Sequence, residues 1–135
     1  MSERIMVTKY QGVPQIRKMI ENEDYIEAFT HTLHSIERIL WNKIVGCFSG
    51  ETATQVRRRI DESRDEANRH FVSTKELIEW AYIMGAISRE ERTELAAFNK
   101  SRNEIVHRHG GWAKSKELFN GDLEKGMRFI EQNES

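Results

Sequence analysis

Apolar positions recur at helical spacing in four segments of the chain. Ile26, Phe29, Leu33, Ile36, Leu40, Ile44 and Cys47 step by threes and fours between Asp24 and Phe48, which draws one continuous apolar stripe along a helix. Ser49-Gly50 is the expected stop. A second helix is expected to begin at Ser73, where Ser-Thr-Lys-Glu has the form of a capping box and Leu77, Ala81 and Met84 share one side. The third starts at Ser88, again with Glu three residues on, and runs to about Arg108, with Gly110-Gly111 ending it. The fourth covers about Ala113 to Gln132 and turns Leu118, Phe119, Leu123, Met127 and Ile130 inward. Helices with single apolar stripes bury them against one another, so the expected fold is all-α: an antiparallel bundle of about four to five helices.

Two stretches are weaker. Residues 1–20 hold the single proline, Pro14, and carry Arg4, Lys9, Arg17 and Lys18 against Glu3; they read as an N-terminal arm or a short helix. Residues 51–71 alternate Arg57, Arg58, Arg59, Arg64 and Arg69 with Glu51, Asp61, Glu62, Asp65 and Glu66. That segment is either an exposed helix laced with ion pairs one turn apart or a charged excursion between helices. No repeat or Pro/Gly/Ser-rich linker divides the chain, so residues 1–135 are expected to form one domain.

Composition narrows the class. Of the 135 residues, 38% are hydrophobic and 32% charged, which suits a soluble protein with one core. One proline and eight glycines are too few for the many turns of an all-β domain. The longest apolar run, Trp80 to Ile87, is too short to span a bilayer, and the N-terminal residues lack the form of a signal peptide. With Cys47 as the single cysteine no internal disulfide is possible, and a reducing cytoplasm is the expected location. A net charge of −1 supplies no global basic field, so any nucleic-acid contact must be local.

The candidate chemistry lies between Phe98 and His109. Leu95, Phe98, Arg102, Ile105 and His109 follow steps of three and four, so Arg102 falls where an apolar seam residue is expected. A guanidinium stays charged at neutral pH, and burying it requires a partner, a ligand or a cleft. Asn103 and His107 are separated by about 40° around a helix, whereas Arg102 and His107 are separated by about 140°. Arg102 and His107 therefore meet on one ligand only if the helix bends or if two subunits build a shared groove.

Arg102-Asn103-x-x-x-His107 resembles the Arg-x4-6-His signature of HEPN domains, small helical bundles in which the residue after arginine is commonly polar. The resemblance implies a homodimer whose two signature helices meet across a cleft. It also implies a metal-independent endoribonuclease of a toxin–antitoxin or defence system, with no cofactor and with an antitoxin or other partner protein. The RNA's own 2′-hydroxyl would be the nucleophile. His107 would serve as general acid or base, Arg102 would hold the scissile phosphate, and Asn103 would orient His107 or donate to the phosphate. In one toxin subgroup a tyrosine that a partner enzyme modifies lies two residues after the histidine. Here that place is taken by His109, which either assists catalysis or sits at the helix end, where an imidazole suits the dipole.

Rival readings stand beside this one. Arg102 can be structural, paired with Glu27 or Glu37 of the first long helix. The domain can be a non-catalytic HEPN-like module that binds a partner protein or nucleotide. His31, His34 and Glu104-Ile-Val-His107 hint at a carboxylate-bridged metal bundle, but such a site needs a second Glu-x-x-His, so no metal is expected. Arg57, Arg58 and Arg59 are candidate RNA-phosphate contacts. Trp41, Trp80 and Trp112 read as core or interface anchors.

Overall fold

Among the described residues there are six helices: α1 (Val13–Glu21), α2 (Tyr25–Val45), α3 (Gly50–Ala67), α4 (Thr74–Ile83), α5 (Arg89–His107) and α6 (Lys116–Asn133). The computed structural model describes residues 12–67, 73–107 and 116–133, with side chains over 12–62, 73–105 and 121–133. Among these residues every regular element is helical, so the architecture is an all-α bundle. The count exceeds the expected four to five because both uncertain stretches contribute a helix. Pro14 sits in the first turn of α1, where its missing N–H costs no helical bond. Residues 1–11 of the expected arm lie outside the described part, as do 68–71 of the charged stretch.

The step from α1 to α2 is a sharp reversal. Glu23 adopts a left-handed backbone with φ of 61°. The Glu23 N–H donates to the Ile20 carbonyl at 3.0 Å and the Asp24 N–H to the Met19 carbonyl at 2.8 Å. This paired return satisfies the carbonyls that the end of α1 would otherwise leave open.

Helix α2 is the axis of the bundle, in contact with each of the other described helices. Its burial is correspondingly broad: Tyr25, Phe29, Leu33, Ile36, Leu40 and Ile44 form the expected stripe, and Ala28, Thr32, Ile39 and Trp41 are buried beside it. Three sequence expectations for this helix need correction. Ile26 is 52% exposed, because it sits on the rim of the N-terminal end rather than inside the stripe. Cys47 is exposed, because α2 ends at Val45 with Gly46 as its cap, two residues short of the cysteine. Gly50, expected to stop this helix, instead opens α3 with φ of +55°.

Helices α4 and α5 start as the sequence indicates. The Ser73 hydroxyl accepts from the Glu76 N–H at 3.1 Å while the Glu76 carboxylate accepts from the Ser73 N–H at 3.3 Å. Ser88 and Glu91 repeat the exchange at 3.1 and 2.8 Å. Leu77 and Ala81 are buried as expected, but Met84 caps the helix and is 37% exposed, outside the expected stripe. Contacts between Glu37 and Thr74 and between Trp41 and Trp80 show α4 running in the same direction as α2. Helix α3 makes this possible by returning the chain. By contrast, Glu94 meets Arg128, Phe98 meets Gly126 and Ser101 meets Asp122, so α5 and α6 run opposite ways.

The tightest point of the core is Gly126 on α6. A Cβ built there would lie 2.7 Å from Phe98 of α5 and 2.9 Å from Thr32 of α2. Phe98 is itself stacked on Phe29, with ring centroids 5.3 Å apart. Ion pairs hold the rim: Arg17–Glu124 at 2.8 Å, Arg128–Glu94 at 2.9 Å, and Arg92–Glu79, whose two hydrogen bonds measure 2.9 and 2.7 Å. Arg92 also lies over the Tyr82 ring, 4.7 Å from its centroid.

Gly126→Ala is expected to destabilise the fold by about 1–3 kcal/mol, because the added methyl must displace a stacked ring between two helices. Gly121→Ala, on the same helix but with nothing within 4 Å of the added atom, is expected to stabilise by about 0.5–1 kcal/mol. Denaturant midpoints of the two variants should move in opposite directions. The Arg92 hydrogen bond holds the Glu79 carboxyl below its ordinary range. The contribution of this ion pair is therefore full at neutral pH and fades as the pH falls through that lowered value. Glu79→Gln should remove this component from an acid titration of stability.

Candidate functional site

The signature residues sit on the C-terminal half of α5, which is helical without interruption from Arg89 to His107. An unbroken α-helix keeps Arg102 and His107 about 140° apart around its axis. No break in the helix separates the two residues. His107 occupies the last helical residue; its side chain, and all of His109, lie outside the described residues.

Around this helix the burial rotates in step with the sequence. Leu95, Phe98, Ser101 and Ile105 are buried, Arg102 is half-buried and Asn103 is exposed. The seam position expected for Arg102 is therefore shared: Ser101 takes the inward direction and Arg102 its flank. The Arg102 Nε is enclosed and has no hydrogen-bond partner, while Nη1 donates to the Asn103 Oδ1 at 3.4 Å. At that length the bond is weak. The structural pairing considered for Arg102 is not formed: Glu37 accepts from the Thr74 hydroxyl at 2.6 Å, and Glu27 is exposed. Arg102 and Asn103 are thus brought together, with a guanidinium whose inner edge is buried and unsatisfied.

A cavity of about 250 Å³ opens beside the same stretch of α5, lined by Glu23, Asp24, Tyr25, Ile26, Glu27 and Ile105. Ile105 lies between Arg102 and His107 in sequence. Three carboxylates at its wall make the cavity a place for hydrogen-bond donors and positive charge, and repel phosphate. Arg102 is not among the residues lining this cavity.

Arg57, Arg58 and Arg59 lie on α3, away from the signature. The Arg57 guanidinium donates to the Asn42 Oδ1 at 2.5 Å, which fixes α3 near the C-terminal end of α2. The signature stretch packs against the other end, through Phe98 on Phe29 and through Ile105 beside Tyr25. At 1.5 Å per residue, Phe29 and Asn42 are separated by about 20 Å along α2. Within one chain the arginine run and Arg102 are not brought together. Arg58 and Arg59 are exposed, and Val56 and Ile60 are half-buried apolar residues of α3.

Sequence reasoning missed the pair beside Arg102. The Ser101 hydroxyl donates to the Asp122 carboxylate of α6, both residues being buried, and Lys125 pairs with the other Asp122 oxygen at 3.1 Å. The signal was present: Ser101 follows Phe98 by three, and Asp122 precedes Gly126 by four, so each polar residue sits one turn from the closest helix approach. His31 is half-buried and His34 exposed on α2. Among the described residues no group of three or more His, Cys, Asp or Glu converges as a metal ion requires. Among them also, no helix is long and apolar enough to cross a membrane. No family model, no curated protein and no solved structure matches this chain.

Replacing Arg57 by alanine removes the bond that ties α3 to α2 and should cost about 0.5–1.5 kcal/mol. Amide hydrogen exchange should show the weakened protection confined to α3, with α2, α5 and α6 still protected.

Proposed function

We propose that this chain is an HEPN-like, metal-independent endoribonuclease acting as a cytoplasmic homodimer, in a toxin–antitoxin or defence setting. The observation that carries the reading is Arg102, a permanently charged group whose Nε is buried without a partner on the face that neighbours the bundle core. Leaving a buried charged donor unmet is costly, and a site made for an anionic ligand accounts for it. The exposed Asn103 beside it and His107 one turn on supply the polar and titratable groups such chemistry needs.

The unbroken helix sets the form of the site. Because Arg102 and His107 diverge by about 140°, one subunit presents them in different directions. Two signature helices facing each other would let Arg102 of one act with the histidine of the other. RNA would bind across that seam. The 2′-hydroxyl would attack the adjacent phosphorus, His107 would take its proton or protonate the departing 5′-oxygen, and Arg102 would neutralise the charge on the phosphate oxygens. The products are a 2′,3′-cyclic phosphate and a free 5′-hydroxyl. Arg58 and Arg59 would hold flanking RNA backbone, and an antitoxin would act by covering the seam.

The test is RNA cleavage in EDTA by the purified protein, with Arg102→Ala and His107→Ala alongside and size-exclusion traces to show that all three fold and associate alike. Cleavage by the parent alone, leaving cyclic-phosphate ends, is the expected result. An uncut RNA, or mutants as active as the parent, overturns the reading. Arg58→Ala/Arg59→Ala should lower the salt slope of RNA binding by about 0.7 for each phosphate these arginines neutralise; an unchanged slope removes the two from the interface.

A second reading has its own observation. Trp80, Ile83 and Met84 at the end of α4 are 42%, 76% and 37% exposed, an apolar area of the kind that non-catalytic interaction modules present. Expression in cells separates the two: toxicity relieved by His107→Ala supports the nuclease, and no effect of either protein supports the module.

A further inference from the structure

Helix α5 has an internal rotational stop. Its inward face is held against α6 at two places one turn apart: an apolar one where Phe98 fills the space over Gly126, and a polar one where the Ser101 hydroxyl is bonded to Asp122. Phe98, seated over Gly126 and stacked on Phe29, fixes how close the helices lie. The hydrogen bond adds a directional restraint that apolar contact lacks. Ser101 and Asp122 are 4% and 8% exposed, so rotating Ser101 away leaves a buried carboxylate with one partner fewer, Lys125 remaining. Each residue of a helix advances by about 100°, so pinning Ser101 toward α6 aims Arg102 along the flank and Asn103 at solvent, as observed.

From this we infer that Ser101 and Asp122 are positioning residues for Arg102: their hydrogen bond sets the rotation of α5 and so the direction in which the signature guanidinium is presented. The inference rests on the ribonuclease reading for its consequence, the alignment of Arg102 on phosphate, but not for its physical content. Both residues are buried, and their effect on Arg102 runs through the helix.

The Nε–H of Arg102 supplies the readout. It is enclosed and unpartnered, so in a proton–nitrogen NMR spectrum it should exchange slowly with water and be assignable by its disappearance in Arg102→Lys. In Ser101→Ala and in Asp122→Ala the helix gains rotational freedom, and that signal should move toward the exposed arginines and exchange faster, while the amide spectrum stays dispersed. Asp122→Asn keeps an acceptor for the Ser101 hydroxyl and should preserve the slow signal. On RNA, Ser101→Ala should lower kcat by about 10- to 100-fold with KM within about twofold, the pattern of misaligned rather than missing groups. Should Asp122→Ala fail to fold, Ser101→Ala, which removes a single oxygen, decides the matter. A folded Ser101→Ala with an unchanged Arg102 Nε–H overturns the inference, whatever the activity. A parent that cuts no RNA while the Nε–H responds overturns the ribonuclease reading and leaves the positioning role standing.

Discussion

Three helices converge on a residue without a side chain. At Gly126 the backbone of α6 comes close enough to Phe98 and Thr32 that no Cβ fits, and this approach decides how α2, α5 and α6 sit together. Phe98 can stack on Phe29 only because α6 leaves it room. Ser101 reaches Asp122 because the same approach, one turn along, brings the two backbones within reach of a short side chain. In the interior of a helix glycine is a poor residue by propensity, costing about 1 kcal/mol against alanine. Here the packing it permits outweighs that cost.

The fold was largely legible because its dominant signals are local. Two capping boxes, at Ser73 and Ser88, place two helix starts to the residue, and the stripe from Phe29 to Ile44 marks the central helix. Its ends were not legible. Ile26 and Cys47 continue the spacing but fall beyond the region that other helices cover, and spacing alone does not show where neighbours stop. The charged stretch after Gly50 was ambiguous for a different reason. A helix covered on one narrow side needs few apolar residues, and Val56 and Ile60 are too few to distinguish it from a loop.

The candidate site was legible in its residue types and less so in its geometry. Arg102 interrupts an apolar pattern, and that is visible in the letters. Which way it points is not, since Ser101 and Arg102 both lie within reach of the same seam and only the neighbouring helix selects between them. Asp122, 21 residues away, is the partner that meets Ser101 on the inward side. The acidic wall formed by Glu23, Asp24 and Glu27 was likewise hidden, because it meets Ile105 only through the docking of α2 on α5. The carboxylates of that wall gather at the N-terminal end of α2, while the polar neighbour of Arg102 itself is the exposed Asn103.

Helix α3 stands apart from this economy of close approaches. Its described residues touch the bundle chiefly through α2, by way of the Arg57 hydrogen bond and a few half-buried apolar groups. Cooperative unfolding is shared among elements in proportion to the surface they bury on one another. By that measure the described part of α3 is the element least tied to the others. A helix held by so few contacts opens at a lower free energy than the core it rests on. Where proteases compete with refolding, such local opening offers a cleavage site without the core having to unfold.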